Sequence, residues 1–333
     1  MSEKNVNSNK SVISNFLWRF MERCGAEGVA FIVSIVLARL LAPEHYAAVA
    51  LINVFITIMS VFVDCGFTSA LIQKKNARDL EFSTVFYFNI VMCLFIYAIL
   101  FVAAPFIAAF YKMPELKAMV RVSSIVIIIS GVRSIQSAYV SKNMLFKRFF
   151  FSTLIGTIVA AVIGIIMAYM GFGTWALIAQ HLINTLIDTI VLWITVKWRP
   201  KRLFSFKELK VLLSYGWKIF ASSLLDRVYN NLRSLIIGKL YTSSDLSFYN
   251  KGKQFPNIIV TNINSSIDSV LLPTMSKAQD SREKVKAMTR RSMKTSIYIM
   301  APLMMGLAFC AEPIIRLILT EKWLPCVPFM QIF

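Results

Sequence analysis

Charged residues are scarce in this chain of 333 residues, of which only 16 % are charged, whereas 57 % are hydrophobic and 13 % aromatic. A water-soluble globule of this size would have too little polar surface with that composition. The run from Phe82 to Tyr111 contains no charge and would extend about 45 Å as a helix, whereas about 20 residues cross a hydrocarbon core of about 30 Å. The composition therefore predicts an all-helical, multi-pass membrane protein.

Residues that carry metal or catalytic chemistry are equally few. The two histidines and five cysteines are dispersed along the sequence, with no CxxC pair and no cluster at metal-ligand spacing. The sequence contains no recognisable nucleophile and base pair and no glycine-rich phosphate loop. We therefore predict no enzymatic activity, no metal site and no cofactor.

The apolar segments predict nine membrane spans, and a tenth begins at Trp323. The sequence GFGT at 171–174 divides the long apolar run 149–187 into two spans of about twenty residues each. The predicted spans are 17–41, 46–72, 82–110, 117–141, 149–170, 175–196, 208–238, 246–272 and 294–319.

The net charge of +19 follows the predicted topology. With a cytoplasmic N-terminus, 23 of the 36 basic residues lie in the cytoplasmic loops or at adjoining helix ends, and eight lie on the opposite side. This asymmetry agrees with the positive-inside rule. No basic patch lies on a soluble domain, so nucleic acid is excluded as a partner.

Charges inside the predicted spans need an explanation, because each costs about 2.5 to 3.5 kcal/mol at mid-membrane. At 100° per residue, the charged residues of the first span lie within an arc of about 140° around the helix axis. The polar residues of the seventh span lie within an arc of about 80°. Two interpretations stay open: ion pairs that lock helices together, or a shared hydrated cavity that suits an anion such as phosphate. The basic residues concerned are Arg19, Arg23, Arg133, Lys218 and Arg233. The acidic residues are Glu22, Glu27, Asp64, Asp188 and Asp226.

A faint internal repeat aligns the region around Trp18 with the region around Trp217 at an offset of about 200 residues. Six spans separate the two copies, so the repeats are parallel and predict two similar lobes facing a central cleft. The predicted organisation is a cytoplasmic tail (1–16), an N-terminal six-helix lobe (17–196), a cytoplasmic linker (197–207) and a partial C-terminal lobe (208–333).

Four segments in a fixed order resemble one family: ARLLAPEHYA (38–47), DCGFTSALIQKKN (64–76), FKR (146–148) and LSFYNKGKQFPN (246–257). They are similar to the Wzx-type polysaccharide flippases of the multidrug/oligosaccharidyl-lipid/polysaccharide exporter superfamily. The resemblance implies a MATE-like fold of two lobes that open alternately to either side of the bacterial inner membrane. Its members have 12 or 14 spans, so the second lobe here is expected to be incomplete.

The resemblance also implies a substrate, an oligosaccharide on undecaprenyl diphosphate, moved to the periplasmic leaflet for O-antigen, capsule or exopolysaccharide synthesis. The five basic residues are then candidate diphosphate contacts, and the five acidic residues are candidates for proton or cation coupling or charge balance. Membrane lipids and polysaccharide polymerases are the expected partners. Export of drugs or of a peptidoglycan precursor stays open on the same fold. A membrane polysaccharide polymerase or ligase is the alternative of another class, disfavoured by the short outer turns.

Overall fold

The computed structural model describes residue 25 and residues 28–64, 66–67, 70–71, 78–143, 145–277 and 282–333, and the regular structure in these residues is helical throughout. The helices are α1 (Gly28–Leu40), α2 (Pro43–Asp64), α3 (Asp79–Tyr111), α4 (Leu116–Ser123), α5 (Ile125–Lys142), α6 (Phe146–Tyr169), α7 (Thr174–Thr195), α8 (Phe206–Leu240), α9 (Ser243–Lys277), α10 (Arg282–Phe309), α11 (Ala311–Ile318), a 3-10 turn (Glu321–Cys326) and α12 (Val327–Ile332). They form two compact units that divide between Thr242 and Ser243.

Five stretches of the described chain are long and apolar enough to cross a membrane: α2, α3, α4 with α5, α6, and α7. Helices α10 and α11 meet this criterion only as a pair, bent by 65°, and would make a sixth. Helices α8 and α9 have 35 residues each but a more polar composition. The prediction of an all-helical, multi-pass membrane protein is therefore confirmed, whereas the count of nine spans stays a prediction.

The segment that follows α7 packs against the first turns of α3. The Arg78 N–H donates to the Glu81 carboxylate at 2.9 Å, which forms part of a capping box at the helix start. Asp79 accepts a hydrogen bond from the Trp198 indole at 2.9 Å and pairs with Lys201 at 2.6 Å. The Lys201 N–H also donates to the Ser83 hydroxyl at 2.9 Å. The predicted linker is thus held along the first turns of α3.

Helices α6 and α7 form a hairpin whose turn confirms the predicted break at GFGT. Gly171 and Gly173 have φ values of +83° and +55°, which favour glycine because it lacks a Cβ. A Cβ on Gly173 would lie 2.8 Å from the ring of His45, which also lies 3.2 Å from the Thr174 hydroxyl. Helix α1 packs on this hairpin through Leu37, which is fully buried. The turns at 41–45 and 170–174, both predicted to lie on the outer side, therefore contact each other directly.

Small residues set two close helix crossings, one in each unit. In the first unit a Cβ on Gly66, which has φ +70°, would lie 2.8 Å from the carbonyl oxygen of Gly216 in α8. In the second unit a Cβ on Gly252 of α9 would lie 2.7 Å from the carbonyl oxygen of Cys326. Beside this crossing the Trp323 side chain is fully buried. Backbones can approach this closely only where no side chain intervenes.

The first unit includes α8, which the internal repeat assigned to the second lobe. Helix α8 packs on α2 and α3, and Phe220 makes an edge contact with Phe62 at a ring-centroid distance of 5.1 Å. The unit boundary therefore falls one helix later than the predicted lobe boundary. The compact units reflect contacts between helices, whereas the predicted lobes reflect a repeat in the sequence. The division into lobes and linker therefore stays a prediction.

Candidate functional site

A buried ion pair joins two of the predicted site residues. The Arg133 guanidinium of α5 lies 2.6 Å from the Asp188 carboxylate of α7, and their side chains are 33 % and 8 % exposed. The remaining oxygen of Asp188 and the Nε of Arg133 have no hydrogen-bond partner among the described residues. A Cβ on Gly156 of α6 would lie 3.2 Å from the Asp188 Cβ, so a third helix packs against the base of this side chain. The pair therefore couples α5 to α7 and retains unused hydrogen-bonding capacity.

A second group of polar residues, which was not predicted from the sequence, connects α3 to α5. The Asn89 amide donates to the Ser134 hydroxyl at 3.0 Å, and Ser134 donates to the Gly131 carbonyl at 2.8 Å. The carbonyl oxygen of the Asn89 side chain is buried and has no hydrogen-bond partner in the part of the chain that the structure describes. Asn89 is the only Asn or Gln within the uncharged run 82–111, and that isolation is the signal by which it could have been found.

Helix α8 carries the polar stripe predicted for the seventh span. Lys218, Asp226 and Arg233 are all exposed, and Asp226 accepts a hydrogen bond from Asn230 at 2.8 Å. By helical rotation the stripe is centred about 120° from the face that packs on α2. Neither Lys218 nor Arg233 forms a hydrogen bond or ion pair with a described residue. The two cations are therefore available to an external anion.

A small polar recess lies where α8 crosses α2. It has a volume of about 140 Å³, and Ser60, Ser223 and Arg227 line it. Arg227 was not among the predicted site residues, because it lies off the stripe, next to Asp226 in sequence but on the α2 side of the helix. Its proximity to α2 depends on the crossing at Gly66 and could not be read from α8 alone.

The remaining predicted residues are not described. Arg19, Glu22, Arg23 and Glu27 lie outside the described residues, as does the side chain of Asp64 at the end of α2. Of the ten predicted residues, the structure brings Arg133 and Asp188 into contact and leaves Lys218, Asp226 and Arg233 exposed on one helix. A cavity shared by all ten stays a prediction.

Comparison with known proteins identifies a matching family and several relatives of this chain. A family model described as “Polysaccharide biosynthesis protein” matches residues 36–328. Succinoglycan biosynthesis transport protein ExoT of Rhizobium meliloti (strain 1021) is 25 % identical over 94 % of this chain and 64 % of its own length. Teichuronic acid biosynthesis protein TuaB of Bacillus subtilis (strain 168) is 25 % identical over 82 % and 57 %. Lipopolysaccharide biosynthesis protein WzxC of Escherichia coli (strain K12) is 20 % identical over 97 % and 66 %. The chain thus spans less than two thirds of each relative.

Two solved structures share the fold. The lipid II flippase MurJ in an inward closed conformation superposes with a TM-score of 0.75 at 15 % identity, covering 95 % of this chain and 71 % of MurJ. An inward-facing multidrug resistance MATE family transporter superposes with a TM-score of 0.70 at 14 % identity, covering 91 % and 74 %. The predicted MATE-like fold is therefore confirmed.

Proposed function

The chain belongs to the family described as “Polysaccharide biosynthesis protein”, and from this premise we propose that it forms part of a flippase for undecaprenyl-diphosphate-linked oligosaccharides. The flippase moves its substrate from the cytoplasmic to the periplasmic leaflet of the bacterial inner membrane by alternating access of two lobes. The nine spans, the cytoplasmic N-terminus and the incomplete second lobe of the predicted topology belong to this proposal.

The exposed cations of α8 are the observation that carries the proposal. Lys218 and Arg233 lie on a helix long enough to cross the membrane and have no partner among the described residues. A cation in that position needs water or an anion, because it is costly in hydrocarbon. Two negatively charged phosphates supply such an anion, and a guanidinium can bind their oxygens in pairs.

The names of the relatives support recognition of the carrier rather than the sugar. They refer to succinoglycan, teichuronic acid and lipopolysaccharide, which are three different polymers. A site that recognises the diphosphate serves all such substrates, since only the attached glycan changes. We accordingly propose diphosphate contacts at Arg19, Arg23, Arg133, Lys218 and Arg233. Coupling to a proton or cation, or charge balance, is proposed for Glu22, Glu27, Asp64, Asp188 and Asp226.

The site is tested by complementation of a strain that lacks the gene, with variants of the full-length protein. We expect Arg233→Ala or Arg23→Ala to abolish most surface polysaccharide at normal protein abundance, because the lost group contacts substrate rather than lipid. Arg233→Lys keeps the charge but loses the forked donors, and should restore only part of the export. Lys207→Ala, an exposed residue in the first turn of α8, is the matched control and should leave export unchanged. Normal polysaccharide in both alanine variants would remove the site assignment.

The lipid that accumulates in the deletion strain tests the substrate class. We expect an undecaprenyl-linked oligosaccharide at the cytoplasmic leaflet. Accumulation of a peptidoglycan precursor would instead indicate the sibling function that MurJ performs on the same fold. Lipid-linked glycan on the periplasmic side, either as unpolymerised single units or as polymer that is not transferred from its carrier, with no cytoplasmic lipid intermediate, would indicate a polymerase or ligase.

A further inference from the structure

An open apolar groove lies between the first half of α6 and the second half of α7. Its volume is about 600 Å³, and its walls include Phe151, Ile155, Val191 and Thr195. Phe151 and Ile155 are 42 % and 40 % exposed, so the groove is open along its side. The Thr195 hydroxyl donates to the Val191 carbonyl at 2.8 Å, which satisfies that polar group within the helix. Small-molecule sites have comparable volumes, about 300 to 1,000 Å³.

Two cations stand at one end of this groove. Lys147 and Arg148 are among its lining residues, and the Lys147 ammonium lies 6.0 Å from the centre of the Phe151 ring. Arg148 is half-buried, and its guanidinium forms no hydrogen bond or ion pair with the described residues. The groove lining contains no acidic residue. Both cations lie in the first turn of α6.

The position of the groove along α6 matches one leaflet of a bilayer. In the predicted topology this end of α6 is cytoplasmic, so Lys147 and Arg148 lie at the level of the inner-leaflet headgroups. Ile155 lies seven residues further, about 10 Å deeper by helix rise. A ligand with an anionic head and an apolar chain therefore matches the groove in charge and in direction, as basic pockets between membrane helices do elsewhere.

We propose that this groove binds an anionic phospholipid of the inner leaflet, with its phosphate on Lys147 and Arg148 and an acyl chain between α6 and α7. The groove is open along its side, so its occupant exchanges with the surrounding bilayer, and the anionic lipid present there in bulk is the one that fills it. The FKR segment at 146–148 then has a role separate from transport. The proposal takes its leaflet from the predicted topology, which belongs to the proposed function, but it does not depend on transport of a substrate.

Lipid binding by the purified full-length protein tests the proposal. Native mass spectrometry during titration with phosphatidylglycerol or phosphatidylcholine should give a clear preference for phosphatidylglycerol. Lys147→Gln with Arg148→Gln should weaken phosphatidylglycerol binding about 25-fold, since each basic residue near an anionic lipid contributes a factor of about five. The matched control, Lys207→Gln with Lys210→Gln, removes the same charge from exposed positions on α8 and should leave binding unchanged.

A second variant tests the apolar part of the groove independently of the two cations. Val191→Trp fills the floor without altering either cation and should also weaken binding, while circular dichroism confirms that the protein remains folded. Equal binding of both phospholipids, or unchanged binding in the Lys147 and Arg148 double variant, overturns the proposal. Displacement of phosphatidylglycerol by an equimolar polyprenyl diphosphate also overturns it, because the groove would then hold the carrier lipid.

Discussion

The ion pair between Arg133 and Asp188 responds unequally to loss of either partner. Arg133→Gln leaves a carboxylate that is only 8 % exposed, whereas Asp188→Asn leaves a guanidinium side chain that is 33 % exposed and can reach polar surroundings. Breaking a buried pair costs about 3 to 5 kcal/mol because an uncompensated charge remains. Losing an exposed pair costs at most about 1 kcal/mol. We therefore expect destabilisation of about 3 kcal/mol for Arg133→Gln and about 1 kcal/mol for Asp188→Asn.

Thermal unfolding of the purified full-length protein, at one fixed scan rate, measures this order. The double variant Arg133→Gln with Asp188→Asn should be less destabilised than the sum of the single variants by about 1 kcal/mol or more, because the two residues interact directly. The charge-swapped pair, Arg133→Asp with Asp188→Arg, should recover stability. It should not recover polysaccharide export, since the guanidinium would then lie on α7 instead of α5.

Two outcomes would refute this reasoning. If Asp188→Asn destabilises as much as Arg133→Gln, the guanidinium is as desolvated as the carboxylate, and the exposure difference has no energetic consequence. If the charge-swapped protein exports polysaccharide normally, the pair acts only as a lock between α5 and α7. Arg133 would then leave the set of diphosphate contacts, and the interpretation as a helix lock would hold for this pair.

Close backbone crossings give two further predictions, each with a glycine as its control. Gly66→Ala should destabilise by about 2 kcal/mol more than Gly171→Ala: both have positive φ, but only at Gly66 would the Cβ meet a backbone carbonyl oxygen, at 2.8 Å. In the second unit Gly252→Ala should destabilise, because its Cβ would meet a carbonyl oxygen at 2.7 Å, whereas Gly306→Ala, in open space within a helix, should stabilise by about 1 kcal/mol. Unfolding midpoints of the four variants decide both comparisons, and equal effects within either pair would contradict it.

Hydropathy predicted the helices that face an apolar environment. The uncharged run 82–111 corresponds to α3, and the GFGT break separates α6 from α7. The second predicted span, 46–72, extends past the end of α2 at Asp64, because apolar composition continues beyond the helix. The ninth predicted span, 294–319, assumes one helix, whereas the structure has a 65° bend between α10, which ends at Phe309, and α11. Pro313 in the first turn of α11 is the sequence signal for that new start.

Pairing between helices could not be predicted from the sequence. Helical periodicity relates residues three or four apart on one helix, and by this relation Lys218, Asp226 and Arg233 share one face of α8. Arg133 and Asp188 are 55 residues apart, and only the packing of α5 against α7 brings them together. The same packing determines that Arg227 lines a recess with α2. These contacts depend on rotations of separate helices, which hydropathy does not specify.

The two described sets of charge in the predicted spans are stabilised differently, and this difference bears on the roles proposed for them. Arg133 is neutralised by a carboxylate at 2.6 Å, so a substrate phosphate would have to compete with Asp188 for it. Lys218 and Arg233 have no such competitor among the described residues, and in hydrocarbon they would together cost about 5 to 7 kcal/mol, comparable to the whole stability of many proteins. If α8 crosses the membrane as predicted, its stripe adjoins water or an anion. Loss of Lys218 or Arg233 should accordingly weaken substrate binding more than loss of Arg133, whose guanidinium already has a carboxylate partner.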